Sequence, residues 1–271
     1  MANSFHFDGT DCSAASYGLT VLNDSAFPIY AETKNDYRQA VHAYGGSSSG
    51  NGYGPRKFAV RALISGSSTS DLESKLDALN TLLNPFGGAE KSLRFDDFWS
   101  TRYWMARYDG GVVAPLLTSM DVLVDLPFTA SDSRGYSTTA RSSPDFTLSA
   151  SPQTLTVESG PTAVAGNAPC DPVWLIKNTS GGTITTLTVN NTTTVESLTW
   201  TGSLANNSWL RITTGLAEIC EVSTDSGAIY TASMSGVSGT FPTLKGGATN
   251  SVTVTGLSTG TVVLTYTARF L

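Results

Sequence analysis

The chain has 271 residues, enough for two domains, with 40% hydrophobic residues and only 14% charged ones, against about 25% in an average globular protein. The net charge of -6 excludes a basic grip on nucleic acid or on an anionic membrane. A surface this poor in charge is expected to be covered by Ser, Thr, Asn and Gly, or partly buried against other chains.

The start, Met1–Asp8, carries neither a positive n-region nor an apolar run, so no secretory signal is read there, and no window is apolar enough to predict membrane insertion. Cys12, Cys170 and Cys220 are odd in number and far apart. They are expected to be free buried thiols in a protein made in a reducing cytoplasm.

The segment Tyr44–Gly54, with five glycines and three serines, reads as a flexible loop. Phe58, Val60, Ala62 and Ile64 alternate with Lys57, Ala59 and Arg61, predicting a half-buried strand. A helix follows over 70–84. Ser70 and Glu73 have capping-box spacing, Leu72, Leu76, Leu79 and Leu83 form one stripe, and Asn84-Pro85 stops it. Tyr103–Tyr108 predicts a second strand, ended by Asp109-Gly110-Gly111. Met120, Val122, Val124, Leu126 and Phe128 predict a third, with Asp121 and Asp125 on its other face.

Charge is distributed unevenly about Pro144: residues 1–144 hold 12 Lys/Arg and 15 Asp/Glu, residues 145–271 only 4 and 7. The break falls in the polar stretch Ser131–Pro144. The expected organisation is a domain over 1–136, a linker over 137–152 and a second domain over 153–271. Beyond the break, β-branched runs recur every 8–12 residues with Gly, Asn, Ser and Asp between them. They lie at Leu155–Val157, Val173–Ile176, Ile184–Val189, Val195–Trp200, Ser208–Thr213, Glu218–Val222, Ala228–Met234, Ser251–Thr255 and Thr261–Ala268, the pattern of an all-β sandwich. The fold class is therefore mainly β with one helix, an α+β domain followed by an all-β sandwich.

Motifs for chemistry are missing. His6 and His42 are the only neutral-pH acid–base side chains, and neither sits in a hydrolase motif. No Cys-x-x-Cys or His-x₃₋₅-His spacing marks a zinc site, and Gly9 between Asp8 and Asp11 lacks the regular oxygen ligands of a calcium loop. Asp121 and Asp125, four strand residues apart, are about 13 Å from one another, too far for a glycosidase pair. Gly50-Asn-Gly52-Tyr-Gly54 and Gly87–Ser92 complete no nucleotide-binding motif. The expected catalytic, metal and cofactor sites are none, and the chain is read as not an enzyme.

The ordered set of segments nevertheless resembles one family. Phe5–Gly9 with Ser16–Val21, the glycine segment 45–54, the strand Lys57–Ser65 and the helix Ser70–Asn84 come first. Leu93-Arg-Phe-Asp-Asp97 with Arg102–Gly110, and then Val122–Ala130, complete a pattern similar to the distal tail proteins of siphophages. Gly166–Val173 and Phe241–Asn250, with Val252–Gly256 after them, resemble that family's galectin-like C-terminal sandwich. Ser131–Tyr136 departs from the pattern, which often has Asp-Pro there.

The resemblance implies a structural role in the virion tail tip: a ring, commonly a homohexamer, at the end of the tail tube. Its N-terminal domains would enclose the DNA channel without specific DNA binding. Its implied partners are further copies, the tail-tube protein, the tail-tip or tail-associated protein, and receptor-binding or side-fibre proteins. Phe5, Phe7, Gly46, Gly50 and Tyr53 are the expected subunit-contact residues. The alternative reading is a carbohydrate-binding sandwich of a tail adhesin, with Trp174, Trp200 and Trp209 stacking on sugar rings.

Overall fold

The computed structural model describes residues 4–23, 25–28, 33–39, 46–84, 89–110, 118–158, 164–215 and 217–271. His42, Tyr44, Gly45, Pro85 and the start of the Gly87–Ser92 motif lie outside them. The chain divides into two compact units, Met1–Tyr136 with Leu271, and Ser137–Phe270.

The first unit contains strands β1 (Phe5–Phe7), β2 (Thr10–Asp11), β3 (Leu19–Val21), β4 (Thr33–Gln39), β5 (Gly46–Tyr53) and β6 (Arg56–Ser65). Helix α1 (Thr69–Leu83) and strands β7 (Lys91–Phe95), β8 (Arg102–Tyr108) and β9 (Asp121–Ala130) complete it. An antiparallel path runs β2-β1-β7-β8-β9-β6-β3. β6 and β9 pair along their whole length, from Arg56 opposite Ala130 to Ser65 opposite Asp121. Alternation decides which side chains go inside. Phe58, Val60, Ala62 and Ile64 of β6 and Val122, Val124, Leu126 and Phe128 of β9 are all buried, in one cluster with Leu72, Leu79 and Leu83 of α1. Arg61 and Asp125, directly opposite each other on the other face, form an ion pair at 3.5 Å.

The cap of α1 lies two residues earlier than its sequence suggests. Ser68, not Ser70, is the N-cap and accepts from the Asp71 amide at 3.2 Å. Asp71 in turn accepts from the amide and hydroxyl of Ser67 at 2.7 and 3.0 Å and pairs with Lys75 at 3.0 Å. Four consecutive Ser/Thr residues offer the same spacing twice. The reciprocal Ser68–Asp71 and Asp71–Ser67 hydrogen bonds accompany the earlier of the two.

The glycine-rich stretch is a strand rather than a loop. β5 pairs with β4 from Thr33 opposite Tyr53 to Gln39 opposite Gly46, in a two-stranded sheet of its own. Backbone pairing needs no apolar side chain, so a Gly/Ser strand leaves no hydrophobic alternation to read.

The second unit holds most of β10 (Gly135–Ser142), then β11 (Phe146–Leu148), β12 (Gln153–Val157), β13 (Val173–Asn178), β14 (Ile184–Asn191) and β15 (Glu196–Leu204). It continues with β16 (Trp209–Thr213), β17 (Ile219–Ser223), β18 (Thr231–Ala232), β19 (Val237–Gly239), β20 (Asn250–Thr255) and β21 (Gly260–Phe270). One sheet runs β18-β17-β16-β13-β21, with β11 also paired to β21, and the other β12-β20-β14-β15-β19. Both contribute to a single core that includes Trp174, Ile176, Leu187, Trp200, Leu210, Val254 and Leu264. The fold is mostly β with one helix among the described residues, and none of these is a helix long and apolar enough to cross a membrane.

Two expectations fail here. Residues 137–152 are not a linker, because β10 and β11 occupy 135–142 and 146–148. The side chains of β10 from Thr138 onward are exposed, so the strand has no buried alternation to betray it. Conversely, the predicted strand Ala228–Met234 shrinks to Thr231–Ala232. The Asp225 carboxylate takes up the amides of Ala228 and Ile229 at 3.1 and 2.9 Å, closing a turn with Gly227 at φ +91° where a ladder would have run.

Candidate assembly surface

The expected contact residues separate into two groups. In β1, Phe5 pairs opposite Phe95 and Phe7 opposite Leu93, which puts both rings on the core side and His6 on the other. Phe5 and Phe7 are 0% and 2% exposed, with ring centroids 5.8 and 5.2 Å from Phe128. They belong to the core and cannot meet another subunit. Gly46, Gly50 and Tyr53 lie together on β5 of the separate hairpin, and Tyr53 is 55% exposed.

The sugar-stacking residues fare as a core reading requires. Trp174 and Trp200 are wholly buried. The Trp174 indole donates to the Pro242 carbonyl at 3.3 Å, and the Trp200 indole to the Ser233 carbonyl and hydroxyl at 3.2 and 3.0 Å. Neither ring has a face for a sugar. Trp209 is half-buried beneath the Lys177 ammonium, which sits 5.5 Å from its ring centroid.

Sequence reading missed an aromatic ridge on the first unit. Phe27 packs 4.5 Å from Phe95 and 6.1 Å from Phe98, Phe98 packs 4.3 Å from Trp99, and Trp99 lies 5.2 Å from Trp104. Phe98 is 46% exposed and borders a cleft of about 170 Å³ that Val21, Leu22 and Phe27 also line. Trp99 adopts φ +62°, a conformation uncommon for a side chain of its size. Nothing in the spacing Phe98-Trp99 distinguishes an exposed ring from a buried one, because Phe27 joins them from a distant part of the sequence.

The remaining polar groups act as fasteners. Asp8 pairs with Lys91 at 2.9 Å, and Asp121 accepts from Ser65 and Thr118, each at 2.7 Å. Burial pushes the Cys12 and Cys220 thiols up to about 12, so both are protonated and unreactive at neutral pH.

Asp132 closes a turn in the polar stretch before β10. It accepts from the Arg134 amide at 3.0 Å, from the Arg134 guanidinium at 2.8 Å and from the Tyr136 hydroxyl at 2.5 Å. Burial works to raise its pKa, but Arg134 and Tyr136 outweigh that and hold the carboxyl below its ordinary range. A folded pKa lower than the unfolded one stabilises above the unfolded value, near 3.9, and the contribution disappears as pH falls through the folded value. Asp132→Asn is expected to cost about 1.5–3 kcal/mol at pH 7. Urea unfolding repeated as pH falls below about 3.9 should show the gap between variant and wild type narrowing; a gap that does not narrow would contradict the assignment.

Residues 13–119 match the phage tail protein RIFT-related domain. No curated protein sequence matches the chain. Among solved structures, the SPP1 Dit protein, described as a paradigm of the hub adsorption apparatus in phages infecting Gram-positive bacteria, superposes with a TM-score of 0.76 at 16% identity. The match covers 100% of both chains. A chain of the phage P2 baseplate in its calcium-activated conformation matches at TM-score 0.52 and 8% identity over 98% of each chain, and its strontium counterpart at 0.51 and 8% over 97%. Residues 13–119 thus carry the likeness to the phage tail protein RIFT-related domain, and the chain has the fold of SPP1 Dit.

Proposed function

We propose that this chain is the distal tail subunit of its phage and works without a reactive centre. Copies of it form a ring, a homohexamer, at the end of the tail tube. Its N-terminal unit surrounds the DNA channel, and its C-terminal sandwich serves as the attachment point for tail-tip and receptor-binding or side-fibre proteins. The observation that carries this reading is the end-to-end likeness to SPP1 Dit, both units included. Charge supports it: six copies at -6 sum to about -36, and an acidic lumen lets a polyanion pass without sticking. The two buried tryptophans argue against the sandwich being a sugar-binding module.

The β4–β5 hairpin supplies the subunit contact. A lone two-stranded hairpin is marginal in water, and this one, with the sequences Thr-Lys-Asn-Asp-Tyr-Arg-Gln and Gly-Ser-Ser-Ser-Gly-Asn-Gly-Tyr, contains no aliphatic residue to bury. Laid against a neighbouring copy, its free backbone edges acquire partners, and Gly46 and Gly50 allow close approach. Ser48, opposite Tyr37, is the point at which to test this. Ser48→Pro removes a backbone donor and is expected to lower the fraction of ring at least tenfold in native mass spectrometry. The melting temperature should stay within about 1 °C, because both cores are untouched. Rings that form normally in Ser48→Pro would reject the hairpin contact. A wild-type chain that stays monomeric even with tail-tube and tip proteins present would reject the ring itself.

A further inference from the structure

Outside the assembly surface, three potential metal ligands from three different elements converge. His6 lies on the outer side of β1, Asp11 opposite it on β2, and Asp96 just after β7. One donor atom from each lies within 4.8 Å of the others, and all three residues are half-buried. We propose that His6, Asp11 and Asp96 form a binding site for a divalent transition metal, with zinc as the favoured ion. This is independent of the function proposed above.

Geometry supports more than proximity. The His6 Nε2 atom is 3.1 Å from each oxygen of Asp96. Two donors each about 2.1 Å from a zinc ion lie about 3.0–3.4 Å apart, from octahedral to tetrahedral angles. The pair is thus spaced as one edge of a coordination polyhedron.

Asp11 supplies the third corner. The hydrogen bonds from Ser4 Oγ at 3.0 Å and from the Ser13 amide and hydroxyl at 2.8 Å each all fall on Oδ1. They orient the carboxylate and leave Oδ2 available to turn toward the imidazole, a motion the soft terminal torsion of aspartate permits. Such outer partners are what fix a ligating carboxylate.

Arg94 adds a further element, its Nη2 being 3.3 Å from Asp96 Oδ1. With a neutral imidazole the four side chains sum to one negative charge, so a divalent ion leaves a single positive charge rather than a large excess. The donor set of one nitrogen and two oxygens, with a fourth position open to water, suits zinc. Calcium, which wants six to eight oxygens, and magnesium, which keeps an octahedral shell of waters, are disfavoured. Binding would staple the β1–β2 pair to the end of β7.

The test is titration of the EDTA-treated full-length chain with zinc alone, followed by calorimetry, melting and imidazole NMR. One equivalent should bind, and a hundredfold excess over Kd should raise the melting temperature by about 5 °C. Calcium should give no shift. His6→Gln and Asp96→Asn should each weaken binding at least 100-fold and Asp11→Asn at least tenfold, whereas Asp8→Asn, whose partner is Lys91, should bind normally. If a variant fails to fold, the wild type still decides the matter. The chain has two histidines, and zinc should shift the imidazole resonances of His6 and not of His42. A shift confined to His42, wild-type affinity in His6→Gln, or no saturable binding would each overturn the proposal.

Discussion

Gly166→Ala is expected to destabilise the C-terminal sandwich by about 3–5 kcal/mol. Gly166 sits at φ +91°, where an L side chain is already strained by about 1–3 kcal/mol. A Cβ there would lie 2.1 Å from the Arg269 carbonyl oxygen. That oxygen cannot retreat cheaply, because it accepts from the amides of Asn167 at 3.1 Å and Ala168 at 3.2 Å. The Arg269 guanidinium is meanwhile held by Asp171 at 2.5 Å. Moving the strand end therefore breaks hydrogen bonds as well as packing. Gly182→Ala makes the control, since a Cβ at that position meets nothing within 4 Å, and it should change stability by less than about 0.5 kcal/mol. Urea unfolding of both variants checks the pair; equal effects at the two glycines would refute the backbone argument.

Trp200→Ala should cost about 3–5 kcal/mol by leaving a cavity between the two sheets and orphaning acceptors on Ser233. The ring is fitted tightly. A Cβ at Gly202 would come within 2.3 Å of its Cζ2 atom, so the indole edge fills the space that a glycine leaves vacant. Truncating the half-buried Trp209 should cost less, about 1–1.5 kcal/mol, because part of its surface is already in water. Denaturant midpoints of the two variants settle the order. If Trp209→Ala proved the more damaging, the placement of the sandwich core would be wrong.

The parts of this fold that declare themselves in the sequence are those where burial imposes a period. β6 and β9 alternate so regularly that their inward side chains can be named from the sequence, and the leucines of α1 do the same at helical spacing. β5 and β10 escape notice because their side chains follow no buried period: one is built from Gly and Ser, the other from exposed Ser, Thr and Arg. Phe5 and Phe7 show the opposite error. Their apolar character was visible, but only the pairing of β1 with β7 decides that they face inward.

The candidate sites divide in the same way. The glycine segment drew attention through composition and reads as a loop, whereas Gly46, Gly50 and Tyr53 lie on one strand, β5. His6 and Asp96 are 90 residues apart in sequence, and no local pattern joins them. Their meeting depends on a strand register, which belongs to the folded topology rather than to any window of residues. Trp174 and Trp200 read equally as platform or core in sequence, and the commitment of their indole nitrogens to interior carbonyls decides for core.

The character of β10 has a consequence for how such tails diversify. The boundary between the two compact units falls within this strand, after Tyr136, and its side chains beyond Ser137 project into water. A genetic crossover at that point leaves the buried residues of each core on one side of the joint. Phages exchanging genome segments could thus replace one compact unit while leaving the buried residues of the other unaltered.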